Sequence, residues 1–158
     1  YFEVLVKLVD NGCVSKQLKK CSSGDLVLME GPVGFFTLCD DDIAKHKFVF
    51  IASGTGIAPF HSMIKSYPNL NYSLLHGVRL AEEAYDCAIY RSDRYTLCTS
   101  RDKRGDLHGR VTQYLCQYQS NPEALYKLCG NVKMIDEVYD ILEGQGVPTE
   151  NICAEVYF

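Results

Sequence analysis

The stretch that most constrains the fold is Lys47 to Phe60, KFVFIASGTGIAPF. Phe48, Val49, Phe50, Ile51 and Ala52 form a short unbroken apolar run, the pattern of a strand buried on both faces of a parallel sheet. It runs into Ser53-Gly54-Thr55-Gly56, where two glycines permit a tight turn and let a ligand meet the backbone directly. Ile57, Ala58, Phe60, Met63 and Ile64 then take helical spacing, and Pro59 suits the first turn of a helix. A strand, a Gly-rich turn and a helix N-terminus aim unpaired N–H groups and the positive end of a helix dipole at one point. Pyrophosphate suits such a point. The spacing alone leaves a second reading open, an ordinary tight turn, because Pro59 stands where the usual dinucleotide fingerprint has its third glycine.

The alternation continues downstream. Asn71–Val78, Arg94–Thr99, Ala124–Leu128 and Asn151–Val156 read as strands. Arg79–Cys87 is short and helical. Val111, Tyr114, Leu115 and Tyr118 recur at helical spacing after Gly109, as do Val132, Ile135, Val138 and Leu142 before Gly144 and Gly146. Strands alternating with helices predict an α/β domain, a five-stranded parallel sheet with helices on both faces. Upstream, Tyr1–Val9 and Leu26–Met29 read as strands, and between them Ser15 caps a short helix. Gly31-Pro32-Val33-Gly34 ends that part. The acidic run from Cys39 to Lys47, with Asp40, Asp41 and Asp42, reads as a solvated linker; a calcium loop would need spaced ligands and a distant Glu. The expected division is therefore residues 1–39 and 40–158. The opening, already strand-like and without methionine, reads as the interior of a longer chain.

Composition narrows the function classes. A net charge of −4, with both signs interspersed, argues against a nucleic-acid binder. No apolar run reaches the length of a membrane span and no signal-peptide pattern opens the chain. The eight cysteines include no C-x-x-C pair, so reduced cytosolic thiols are expected, with neither a disulfide framework nor a metal site.

Parallel sheets bind ligands at the carboxyl ends of their strands. Those ends read Ser53-Gly54-Thr55-Gly56, His76-Gly77-Val78-Arg79, Thr99-Ser100-Arg101-Asp102 and Leu128-Cys129-Gly130-Asn131, and the chain closes on Glu155-Val156-Tyr157-Phe158. From the residues alone Arg79 is as readily a surface arginine, Cys129 a buried small hydrophobe, and the last aromatics core. Arg101, Ser100 and Arg110 supply the donors a 2′-phosphate needs, because the planar guanidinium binds oxyanions bidentately. An NAD site would instead offer an acid to the ribose; Glu82 and Glu83 are near the nominal distance but read as solvated helix charges.

Gly54-Thr55-Gly56-Ile57-Ala58-Pro59-Phe60, Gly77-Val78-Arg79, Ser100-Arg101 and Cys129-Gly130 with Met134 closely resemble, in order and spacing, the nicotinamide-nucleotide motifs of the ferredoxin (flavodoxin)–NADP reductase family. The resemblance runs essentially from end to end. It implies a Rossmann-like NADP-binding domain over residues 40–158, preceded by the remnant of an FAD-binding β-barrel over 1–39. It further implies that Ser53, Gly54, Thr55, Gly56, Pro59, Gly77, Arg79, Ser100, Arg101, Arg110, Gly130 and Met134 bind NADP(H). Gly12 and Ser15, in a Gly-x-x-Ser segment, would touch the pyrophosphate of FAD, which is otherwise held by a portion preceding Tyr1. Cys129 would shape the hydride-transfer pocket, Glu155 would orient it or relay protons, and Tyr157 would cover the flavin ring, with Phe158 as an extension. The implied activity is a cytoplasmic oxidoreductase passing electrons between NADPH and a ferredoxin- or flavodoxin-type carrier. Its alternatives are an NADH-dependent reductase component of an oxygenase system and a non-catalytic nucleotide-binding module.

Overall fold

The computed structural model describes residues 2–31 and 33–157. The chain forms two compact units, Tyr1–Phe35 and Phe36–Phe158. Tyr1, Pro32 and Phe158, which take part in expectations above, lie outside the described residues.

In the first unit the only regular element among the described residues is helix α1, Cys13–Leu18. Neither expected strand forms, and Val4, Leu26 and Leu28 are exposed. A strand gains its stability from ladder bonds and cross-strand packing, and apolar alternation without a paired neighbour does not supply them. The cap also moves: Gly12 is the N-cap of α1, and Ser15 sits buried within the first turn. There the Ser15 Oγ accepts a hydrogen bond from the Val9 N–H at 3.3 Å, stapling the helix to the segment before it.

The second unit begins with a further departure, since the acidic run is a helix, α2 (Asp40–Lys45). Its three aspartates fill the first turn and Lys45 the last, so each sign of charge meets the opposite end of the helix dipole. A parallel sheet follows. Its strands are β1 (Phe48–Ser53), β2 (Tyr72–Val78), β3 (Tyr95–Thr99), β4 (Leu107–His108), β5 (Leu125–Gly130) and β6 (Ile152–Val156). They lie in the order β4-β3-β2-β1-β5-β6, every pairing parallel. The sixth strand is the two-residue edge β4, too short for any alternation to register in sequence. It is held by Asp106, whose carboxylate accepts from the Leu97 N–H at 2.8 Å.

Successive residues of β1 point to opposite faces and meet different helices. Phe50 stacks on Phe60 of α3 (Ala58–Ser66), ring centroids 4.7 Å apart, and Tyr72 flanks the pair. Ile51 faces the other way, into a cluster with Leu75, Leu128, Val111 and Leu115 of α4 (Val111–Leu115), and Ile135, Val138 and Leu142 of α5 (Val132–Gly144). Helices thus cover both faces, which is why β1 needs an unbroken apolar run. Helix α4 ends sooner than its periodicity suggests: the Gln117 and Tyr118 N–H groups bond three residues back, and Tyr118 stays exposed. At the start of α5 the Asn131 side chain accepts from the Lys133 N–H at 3.1 Å, an N-cap placed directly after β5. Asn131→Ala should cost about 1 kcal/mol and lower Tm by roughly 2–4 °C. An unchanged melting curve would remove the cap from the account.

Candidate functional site

The order of strands reverses at β1: the chain proceeds outward through β2, β3 and β4, then returns to place β5 on the other side. The carboxyl ends of β1 and β5 therefore form the crevice in which open α/β sheets bind ligands. The glycines expected there are closely fitted. Gly54 has φ +55°, opening a tight helical turn, Gly54–Ile57, that leads into α3 with Pro59 in its first turn. A Cβ on Gly56 would lie 2.3 Å from the Cys129 carbonyl oxygen. Gly130 has φ +141°, and its Cβ would fall 2.2 Å from Ser53 Oγ. That hydroxyl accepts from the Asn131 N–H at 2.9 Å, so Ser53 ties the end of β1 to the start of α5 while its own proton stays free to donate. Thr55 stands half-buried in the same turn. No side chain caps the Gly54–Ile57 turn or α3, so the first N–H groups are open to an anion.

Gly77 is small for a different reason. Its Cβ would meet Val111 Cγ1 at 3.0 Å, so the close approach it allows is that of α4. Beyond it the parallel ladder continues past β2 and β3: the Ser100 N–H donates to the Val78 carbonyl at 3.0 Å and the Arg101 N–H to the Arg79 carbonyl at 2.9 Å. The Gly109 N–H donates to the Thr99 carbonyl at 2.8 Å, bringing Arg110 to the same rim ahead of α4. Arg79, Ser100, Arg101 and Arg110 are thereby brought to neighbouring strand ends. None of these three guanidinium groups makes a hydrogen bond or ion pair to another described residue.

The acids beside them are committed. Glu83 accepts from the Arg79 and Leu80 N–H groups, and Glu82 pairs with Arg104, so neither is the plain solvated charge expected from sequence. Asp102 accepts from the Ala81 N–H at 2.9 Å and from Arg104 Nη2 at 2.8 Å. These bonds, the Ala81 amide first, hold its carboxyl down at about 2, so it stays charged and anchored. Arg104, which no sequence motif singles out, is shared between both acids and offsets one of their two charges. A basic residue two positions after an acid in a turn leaves no periodic signal. Asn131 did leave one, standing directly before an apolar helical repeat.

At β5 the Cys129 thiol is buried and pushed up to about 12 by desolvation, with the nearby Glu155 charge adding to it. It is a neutral thiol, not a nucleophile. Glu155 pairs with Cys129 across β5 and β6, and the Tyr157 N–H donates to the Gly130 carbonyl at 2.7 Å. Cys129, Gly130, Glu155 and Tyr157 thus meet at one edge of the crevice. Burial, then the neighbouring Cys129 and Glu155, raises the Tyr157 phenol, so it stays protonated. Met134 packs against the core beneath α5. Gly12 and Ser15 belong to the first unit, where the Ser15 hydroxyl already accepts from Val9.

A family model for the oxidoreductase NAD-binding domain matches residues 50–140, and one for the oxidoreductase FAD-binding domain matches residues 1–38. The chain belongs to this oxidoreductase family. Its relatives include the toluate 1,2-dioxygenase electron transfer component of Pseudomonas putida, 29% identical over 167 residues, which span 97% of this chain and 49% of that protein. The flavodoxin/ferredoxin–NADP reductase of Buchnera aphidicola subsp. Schizaphis graminum is 28% identical over 174 residues, 95% of this chain and 67% of the relative. The chain thus spans about half the length of curated relatives such as the Pseudomonas protein. In fold it is similar to flavohemoglobin from Malassezia yamatoensis, with a TM-score of 0.83 at 20% identity over 97% of this chain and 43% of that one. Among the described residues no helix is long and apolar enough to cross a membrane, and no group of three or more His, Cys, Asp or Glu is placed to hold a metal ion.

Proposed function

We propose that this chain is the nicotinamide-nucleotide-binding part of a flavin-dependent oxidoreductase that moves electrons between NADPH and a ferredoxin- or flavodoxin-type carrier. The observation that carries the reading is the Gly54–Ile57 turn at the crevice, whose first N–H groups no side chain caps, where Gly56 and Gly130 let the ends of β1 and β5 pack against each other. The dinucleotide pyrophosphate lies against the Gly54–Ile57 turn, on open N–H groups. Its 2′-phosphate reaches the rim, where Arg79, Arg101 and Arg110 offer uncommitted guanidinium donors and the Ser100 hydroxyl, which donates to the Val78 carbonyl at 3.4 Å, would have to turn to join them. The nicotinamide end meets Cys129, Glu155 and Tyr157. There the neutral thiol packs without reacting, Glu155 holds or moves a proton, and the protonated phenol covers the ring and limits water. FAD, when bound, supplies the hydride partner and the step from two-electron to one-electron chemistry. Gly12 and Ser15 would contribute to its pyrophosphate contact, the Ser15 proton donating while its oxygen keeps the Val9 bond.

The test is calorimetric titration of this chain with NADP⁺ and NAD⁺. A clear preference for NADP⁺ is expected. Equal affinity would favour an NADH-dependent reductase component of an oxygenase, a reading supported by the likeness to the Pseudomonas electron transfer component. Binding of neither nucleotide would sink the site.

A further inference from the structure

His76 is completely buried on the α3 face of β2, a place where a leucine would fill similar volume without the cost of burying a polar ring. Both of its nitrogens are used. Nε2 lies 2.9 Å from the Gly54 carbonyl oxygen and Nδ1 lies 3.0 Å from the Tyr95 hydroxyl. A carbonyl can only accept, so Nε2 carries the ring proton and the Tyr95 O–H donates to the bare Nδ1. Burial pushes the ring's pKa down to about 4, which keeps this neutral form in place at ordinary pH. Tyr95 is held in turn: its ring stacks on Tyr90 at 5.1 Å, and the Tyr90 hydroxyl meets His61 Nδ1 of α3 at 3.1 Å.

The bond to Gly54 is not a sheet bond. It grips the first residue of the phosphate-facing turn, a residue in the left-handed region whose glycine would otherwise be free to rotate. In a trans peptide the C=O and the following N–H point in opposite directions. Drawing the Gly54 carbonyl toward His76 therefore turns the Thr55 N–H away from the core.

We propose that His76 is a positioning residue, its ring steadied at Nδ1 by the Tyr95 hydroxyl, that holds the Gly54 carbonyl and so aims the Thr55 N–H at the pyrophosphate of the bound dinucleotide. This rests on the nucleotide reading given above. Tyr95→Phe leaves the buried Nδ1 lone pair without its donor. A ring that shifts to satisfy that nitrogen elsewhere loosens the Nε2 bond to the Gly54 oxygen. His76→Gln keeps an N–H donor within reach, whereas His76→Leu keeps only bulk.

The experiment combines ¹⁵N NMR of the His76 ring with calorimetric titration of NADP⁺ against wild type, Tyr95→Phe, His76→Gln and His76→Leu. The ring should show a protonated Nε2 and a bare Nδ1. Tyr95→Phe should weaken NADP⁺ roughly tenfold, the worth of one lost hydrogen bond, and His76→Leu by at least as much. His76→Gln should recover most of the affinity. For a histidine that merely fills the core the order is reversed, since leucine suits an apolar site better than glutamine does. The proposal is overturned by a proton on Nδ1, by Tyr95→Phe binding like wild type, or by His76→Leu outperforming His76→Gln. A wild type that binds no NADP⁺ overturns the nucleotide reading and this one together, while intact wild-type binding with unaffected variants overturns this one alone.

Discussion

Gly56→Ala is expected to abolish measurable nucleotide binding and to destabilise the second unit by about 3 kcal/mol, the upper end of overpacking costs. The added methyl would sit 2.3 Å from the Cys129 carbonyl oxygen, 2.6 Å from its carbon and 2.7 Å from Gly130 Cα. All three are backbone atoms, so no side chain can swing aside. They are also pinned, because β5 is laddered to β1 on one side and to β6 on the other. Relief requires spreading the carboxyl ends of β1 and β5, which opens the crevice and displaces the N–H groups proposed to hold pyrophosphate. Gly144→Ala is the matched control. A Cβ there meets nothing within 4 Å, and the position ends helix α5, so its stability should change by less than about 0.5 kcal/mol. Chemical denaturation and NADP⁺ titration of both variants check the pair. If Gly56→Ala unfolds at the wild-type midpoint and still binds, the close fit of the crevice is not what the structure indicates.

The clearest parts of the fold in sequence were those governed by local pattern. The run Phe48–Ala52 announced a strand covered on both faces because every position had to be apolar, and Phe50 and Ile51 do meet different helices. Val132, Ile135, Val138 and Leu142 similarly announced α5. What failed depended on long-range pairing or on charge. Leu26–Met29 has the composition of a strand and no paired neighbour among the described residues. Asp40–Asp42 reads as solvated linker by polarity, yet three acids in a first turn favour a helix through the dipole. At the candidate site, the strand-end residues could be singled out because a parallel sheet puts its ligands there. Their commitments could not: that Arg104 is spent on Asp102 and Glu82 while Arg101 is not depends on how two loops from different strands are brought together. His76 reads in sequence only as the lead-in to Gly77, because a histidine inside a strand signals nothing until the Gly54 carbonyl faces it.

That difference between the arginines makes Arg101→Ala the sharpest test of nucleotide choice. Affinity for NADP⁺ should fall by about 1.5–3 kcal/mol, roughly ten- to a hundredfold, while affinity for NAD⁺ changes by less than about twofold. The asymmetry follows from what the side chain has to lose. Arg101 breaks no hydrogen bond or ion pair with a described residue when truncated, and its backbone bond to the Arg79 carbonyl survives substitution. Stability should therefore hardly move, and any loss of binding reports on the ligand. In the proposed site the guanidinium meets only the group that NADP⁺ has and NAD⁺ lacks. The contact lies at an exposed rim, so raising the salt concentration should narrow the gap between the two nucleotides in the wild type. The variant, already without the charge, should respond less. Parallel titrations at two salt concentrations give all four numbers. Equal losses for NADP⁺ and NAD⁺ would place Arg101 on a feature the two share and remove the 2′-phosphate role. An unchanged NADP⁺ affinity would shift that role to Arg79 and Arg110, uncommitted cations on the same rim.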